Sequence, residues 1–183
     1  MQQKSKLRKK YLKIRKENYF EIDKNFFSPL YKLIKKNIKK KSIIIALYYP
    51  SNFELNVLKI LDLKYFSRQT ILLPITEKKS LMNFYIWKKN EVLTVNDFGM
   101  LEPIKGKVKI PDLIIVPLLA FDKDKFRLGY GKGYYDRYLD KYIKQYKNIM
   151  TVGVAFSFQK HHKLPINQND VKLDYILTEK GIY

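Results

Sequence analysis

Between Arg127 and Asp136 the chain reads Arg-Leu-Gly-Tyr-Gly-Lys-Gly-Tyr-Tyr-Asp, and these residue types at this spacing suit the handling of a phosphate. Three glycines alternate (Gly129, Gly131, Gly133), so the backbone can take positive φ and approach a ligand closely. Successive turn N–H groups can form an anion-binding concavity. A helix starting near Gly133 would aim its positive end the same way. Arg127 and Lys132 supply full charges for phosphate oxygens. Asp136 is spaced to hold a Mg²⁺ that bridges such oxygens, because Mg²⁺ prefers oxygen ligands and usually takes one or two protein carboxylates. The segment lacks the GxxxxGK[ST] spacing of a Walker A loop, and Tyr134 stands where the Ser/Thr would be. It also lacks the GxGxxG fingerprint of dinucleotide binding. Chemistry alone therefore leaves two readings, a phosphate-binding loop of another type and a plain Gly-rich turn between strand and helix.

The surrounding pattern supplies elements to position this loop. Residues 4–18 predict a basic amphipathic helix, with Leu7, Tyr11 (or Leu12) and Ile14 at helical spacing. A second helix follows Ser28-Pro29, with Ser as N-cap, Pro at N1, and Leu30, Leu33, Ile34 and Ile38 as its apolar stripe. Ser42 to Tyr48 is a continuous apolar run, as a strand buried on both faces requires. A helix over Glu54–Leu63 and a strand over Thr70–Leu73, ended by Pro74, come next. Further strands are expected at Leu81–Trp87, Asp112–Val116, Met150–Phe156 and Leu173–Leu177, with a helix from Gly133 to Lys144. Apolar strands alternating with helices imply a three-layer αβα, Rossmann-like α/β fold around a mostly parallel sheet. Ligands of such sheets bind beyond the carboxyl ends of the strands, where Tyr49–Glu54 and the 117–133 loop fall. That loop is long for an α/β connection, and loops of that length tend to be functional.

Composition bounds the rest. A chain of 183 residues with 46% hydrophobic residues suits one domain over 1–183, and no repeat or Pro/Gly linker divides it. There is no cysteine, which excludes disulfides, thiolate zinc sites and a Cys nucleophile. His161 and His162 are the only histidines and have no third nitrogen or sulfur ligand beside them, so they read as exposed loop residues rather than a zinc site. Neither a signal-peptide core nor a run of about 18 apolar residues is present, and a cytoplasmic protein is the expectation. The formal net charge is +20, which attracts polyanions at low salt. However, 32 of the 37 cations are Lys, the weaker choice for bidentate phosphate reading. Nucleic acid is therefore not the expected partner, nor is a membrane, and a monomer is expected.

The run Pro117-Leu-Leu-Ala-Phe-Asp122 followed by Arg127 to Leu139 resembles the signature of the 5-formyltetrahydrofolate cyclo-ligase (5,10-methenyltetrahydrofolate synthetase) family. Lys4-Ser-Lys-Leu-Arg8, Tyr48-Tyr-Pro50 with Glu54, Phe98-Gly-Met-Leu-Glu-Pro103 and Asn169-Asp170 with Asp174 and Thr178-Glu179 resemble other family blocks, in the same order. The likeness spans nearly the whole chain. It implies ATP-dependent cyclisation of 5-formyltetrahydrofolate to 5,10-methenyltetrahydrofolate, and the basic charge would help draw in anionic ATP and polyglutamylated folate.

The resemblance also implies roles. Lys4 and Arg8, on the helix over 4–18, close over the nucleotide site. ATP lies against Arg127, Leu128, Gly129, Tyr130, Gly131, Lys132, Gly133, Tyr134 and Tyr135, with Arg127 and Lys132 catalytic. Tyr49, Glu54, Trp87 and Tyr134 meet the folate, and Asp136 with Asp170 holds Mg²⁺. Glu102 and Asp174 are read as structural. The chain departs from the family at Leu55-Asn56, where Asp and Thr are common, and at Leu118, where Gly is frequent. These departures keep alive a related ATP-dependent kinase or ligase with another substrate. The charge keeps alive a basic nucleic-acid-binding module.

Overall fold

The computed structural model of the protein describes residues 2–77, 81–146 and 148–183. Eleven strands are described: β1 (Ile44–Ala46), β2 (Thr70–Glu77), β3 (Leu81–Ile86), β4 (Leu93–Val95), β5 (Leu101–Pro103), β6 (Leu113–Val116), β7 (Ala120–Phe121), β8 (Arg127–Leu128), β9 (Met150–Val154), β10 (Tyr175–Thr178) and β11 (Gly181–Ile182). The α-helices are α1 (Gln2–Asn18), α2 (Ser28–Asn37) and α3 (Tyr134–Gln145).

Seven strands form one sheet in the order β11-β10-β9-β6-β1-β2-β3. Its four central pairings are parallel, and the pairings of β10 with β11 and of β2 with β3 are antiparallel. The mostly parallel α/β expectation thus holds for a mixed sheet. Alternation along each strand divides the core between the two faces, because successive side chains point opposite ways. Ile45, Leu47, Ile71, Leu73, Leu113, Ile115, Val152 and Val154 pack against Leu30 and Ile34 of α2. Ala46, Leu72, Ile114, Val116 and Ile176 pack against Tyr138 and Leu139 of α3. Each such buried Leu or Ile is worth about 1.5–3 kcal/mol. A smaller cluster seats Tyr11 of α1 on Leu119, Ala120 and Leu128 of the β7–β8 hairpin, together with Leu164.

The local expectations need four corrections. The N-cap of α2 is Phe27, with Ser28 the first helical residue and Pro29 in the first turn. The segment expected as a helix over Glu54–Leu63 is instead a 3₁₀ helix over Val57–Asp62. Its buried Val57, Ile60 and Leu61 suit the tighter turn, where positions three apart eclipse. Asn56 caps it, its side chain accepting from the Leu58 N–H at 3.2 Å. The Leu55-Asn56 departure therefore keeps a local cap. Pro74 does not end β2, which runs to Glu77. The β1–β2 register ends at Ala46↔Leu72, so the missing N–H of Pro74 lies on a side that β1 has already left. Finally, the 117–133 loop is not structureless, since it folds into the β7–β8 hairpin.

The residues read as structural serve that way. Glu102 Oε1 accepts from the Thr76 N–H (2.8 Å), the Thr76 hydroxyl (2.7 Å) and Asn96 Nδ2 (2.7 Å), tying β5 to β2. Asp174 Oδ2 accepts from the backbone and hydroxyl of Thr151, both at 2.8 Å, and aligns the starts of β9 and β10. Leu118 is buried and packs against the backbone of Gly153. No described helix is long and apolar enough to cross a membrane.

Candidate active site

The Gly-rich segment leaves β8 at Leu128 and enters α3 at Tyr134, as its sequence predicts. Gly133 is the N-cap and is left-handed (φ 68°), a conformation that only glycine takes without cost. Gly131 (φ 103°) lies flat under the Arg8 side chain, where an added Cβ would sit 3.1 Å from the guanidinium carbon. Arg8 Nε donates to the Gly129 carbonyl at 2.8 Å, fixing the guanidinium plane over the loop. The basic helix α1 therefore straps the loop, and Lys4 pairs with Asp170 at its other end.

Lys132 is exposed, with its ammonium 5.3 Å from the centre of the Phe98 ring. Tyr134 meets the edge of the same ring at 6.5 Å. Tyr135 lies behind, its hydroxyl enclosed and without a hydrogen-bond partner among the described residues. Burial, and then the nearby Glu54 charge, push that hydroxyl far above its ordinary range.

Arg127 departs from its expected role. Its side chain is 3% exposed and donates to Asp136 Oδ1 at 2.7 Å, so it is committed to a carboxylate rather than open to a phosphate. A guanidinium this buried requires such a partner. The same Oδ1 accepts from the Val171 N–H at 3.3 Å, which brings Asp136 beside Asp170. Asp170 uses Oδ2 for Lys4 and for the Asn167 N–H at 2.6 Å. Each carboxylate makes these contacts through one oxygen. The pair fits a hard divalent ion that needs few protein ligands. No group of three or more candidate metal-binding side chains occurs among the described residues.

A cavity of about 390 Å³ opens beyond the carboxyl end of β1, lined by Tyr19, Tyr49, Pro50, Ser51, Asn52, Phe53, Glu54, Asn56 and Leu58. Asn52 (φ 48°) and Phe53 (φ 61°) are both left-handed, an unusual run for non-glycine residues that turns Glu54 inward. Glu54 is 8% exposed. Its Oε2 accepts from the Ser51 N–H (2.9 Å) and hydroxyl (3.3 Å), and its Oε1 from the Tyr130 hydroxyl (2.5 Å). Burial raises the carboxyl above its ordinary range, while Tyr130, Ser51 and Arg15 oppose that rise. Burial and the charges of Glu54 and Tyr130 likewise hold the Tyr48 hydroxyl well up.

Of the expected site residues, the structure brings Lys4, Arg8, Gly129 to Asp136 and Asp170 together around one loop, and Tyr49 and Glu54 around the adjoining cavity. Trp87 is not brought there: it is 5% exposed inside the core on the α2 face. Tyr130, expected against ATP, is 41% exposed and its hydroxyl donates to Glu54. His161 is not a free loop residue, since its Nδ1 is in hydrogen-bond contact with the Tyr11 hydroxyl at 3.0 Å.

Sequence reasoning missed Arg15, which is buried among the site loops. A signal was available in the composition. The chain has five arginines against 32 lysines, and Arg8, Arg15, Arg127 and Arg137 all touch residues 129–136. Where lysine serves nearly everywhere, the retained arginines mark places that need a planar fork of donors.

The model of the 5-formyltetrahydrofolate cyclo-ligase family matches residues 1–179. The Schizosaccharomyces pombe protein named "Probable 5-formyltetrahydrofolate cyclo-ligase" is 31% identical over 161 residues, covering 78% of this chain and 76% of its own. The solved structure of Aquifex aeolicus 5,10-methenyltetrahydrofolate synthetase superposes with a TM-score of 0.74 at 33% identity, covering 98% of this chain and 91% of that one. The Mycoplasma pneumoniae 5,10-methenyltetrahydrofolate synthetase gives 0.67 at 28%, covering 95% and 97%.

Proposed function

The chain belongs to the 5-formyltetrahydrofolate cyclo-ligase family, and from that premise we propose that it converts 5-formyltetrahydrofolate and ATP to 5,10-methenyltetrahydrofolate, ADP and phosphate. One observation carries the reading. The Gly-rich loop and the Glu54 cavity adjoin, with the Tyr130 hydroxyl 2.5 Å from the Glu54 carboxylate. A phosphate donor on the loop and a flat heterocycle in the cavity would therefore meet. At about 390 Å³ the cavity is within the range of small-molecule sites.

The reaction needs this adjacency. The formyl oxygen attacks the γ-phosphorus and ADP departs. N10 then attacks the formyl carbon, loses its proton, and phosphate leaves as the C–O bond breaks. An N-formyl amide is a poor electrophile, and phosphorylation gives it a good leaving group. The protein's share is positioning and charge neutralisation, as phosphoryl transfer generally demands.

Arg8, Lys132 and the amides of residues 129–133 would hold the phosphates. Asp136 and Asp170 would hold Mg²⁺, which supplies neutralisation of the phosphate oxygens when bound. Arg127 contributes through Asp136, orienting its carboxylate. Glu54 would accept from the N–H groups of the pterin, and Tyr49 and Tyr134 would flank the ring. The cytoplasm is the proposed location. The test is ADP release on mixing protein, Mg·ATP and 5-formyltetrahydrofolate. Release that requires the folate supports the reading, and release at the same rate without it contradicts the reading.

A further inference from the structure

Arg15 lies on α1 one turn after Tyr11, 1% exposed and facing inward. Its Nη2 donates to the Tyr130 hydroxyl oxygen (2.7 Å) and to the Asn52 carbonyl (2.8 Å), and its Nη1 donates to the Leu118 carbonyl (3.4 Å). Its guanidinium carbon is 5.6 Å from the centre of the Tyr130 ring. One guanidinium thus joins three segments: the left-handed turn that aims Glu54, the chain after β6, and the Gly-rich loop.

The chemistry of the contact is directional. A tyrosine hydroxyl has one hydrogen to give. Arg15 donates to the Tyr130 oxygen, so that hydrogen is left for Glu54 Oε1 at 2.5 Å. Ser51 fixes the other carboxylate oxygen, so the plane of Glu54 is set from both ends. Meanwhile Arg8, two turns earlier on the same helix, grips the loop at Gly129. Tyr130 is therefore the link by which a shift of the loop would reach Glu54.

We propose that Arg15 is a positioning residue that, through Tyr130, couples the phosphate loop to Glu54, so that nucleotide and folate bind cooperatively. The proposal rests on the function assigned above. Lysine cannot replace Arg15, because a single ammonium on a flexible stem cannot span acceptors on three segments in a fixed plane.

The experiment measures the affinity for 5-formyltetrahydrofolate with and without a non-hydrolysable ATP analogue and Mg²⁺. It uses the full chain and its Tyr130→Phe and Arg15→Lys variants. In the wild type the analogue should tighten folate binding about 5-fold or more, the scale of ordinary site-to-site coupling. In both variants the ratio should fall towards 1, while folate affinity without nucleotide changes less. Tyr130→Phe keeps the half-exposed ring and removes only the hydroxyl, so it remains informative if Arg15→Lys fails to fold. A merely structural role would lower the melting temperature and leave the ratio intact, and that result overturns the coupling alone. If the wild type binds nucleotide and no 5-formyltetrahydrofolate, the assigned function fails and the coupling falls with it.

Discussion

Arg127 and Asp136 are paired with each other at 2.7 Å across the start of α3. A residue expected to meet phosphate and one expected to meet metal are thus partners first. The Arg127 side chain is 3% exposed and that of Asp136 22%. Removing one member of so enclosed a pair strands the other charge, at a cost of about 3 kcal/mol or more. Asp136→Ala should therefore lose that much in urea unfolding, along with its activity. A stability within about 0.5 kcal/mol of wild type would contradict the pairing as the residue's first role.

Lys132 behaves in the opposite way. It is exposed and its ammonium rests over Phe98, so no buried charge depends on it. Lys132→Ala should unfold within about 0.5 kcal/mol of wild type. Turnover should fall about 100-fold or more, as for loss of a cation that stabilises developing charge. Steady-state rates and a urea curve on one preparation decide it. A near-normal rate would remove Lys132 from the phosphate site.

Glu54 links function to pH. Burial raises its carboxyl above the ordinary 4.5, so the folded chain holds this proton more tightly than the unfolded one. The sign follows from linkage: its contribution to stability is present below pH 4.5 and is lost as pH rises through the raised folded value. Glu54→Gln removes that loss. Relative to wild type, the variant should gain stability between pH 4 and pH 7 while losing folate affinity. Urea midpoints at about these two pH values, bracketing the carboxyl range, check the sign. A difference that does not change with pH would contradict it.

Gly153 and Leu118 explain a departure from the family pattern. A Cβ at Gly153 would lie 2.8 Å from Leu118 Cδ2, 2.7 Å from Ile176 Cδ1 and 2.9 Å from Leu173 Cδ1. Gly153→Ala should cost about 1–3 kcal/mol by overpacking. In a Leu118→Ala background that cost should shrink by about 0.5 kcal/mol or more, as contacting residues couple. Additive costs in a double-mutant cycle would contradict the contact.

The Gly-rich decapeptide was legible because its demands are local: left-handed glycines, cations and a helix start are written in consecutive residues. The strand order was less so, since β4, β5 and β11 are two or three residues long and carry no alternation over that length. Pro74 misled because whether a strand tolerates proline depends on where its neighbour ends, a tertiary fact. Arg15 lay hidden in a basic helix, where one cation among many looks solvated until the turn holding Asn52 and the loop holding Tyr130 fold onto it. Arg127 and Asp136 were read singly because nine residues of sequence do not say that their side chains meet.

Protein, 5-formyltetrahydrofolate and Mg·ATP are mixed, and the near-ultraviolet absorbance of the methenyl product is followed against a control without ATP. A band that grows only with ATP is the predicted result. A flat trace from folded protein that still binds nucleotide would contradict the assignment of 5-formyltetrahydrofolate as the substrate.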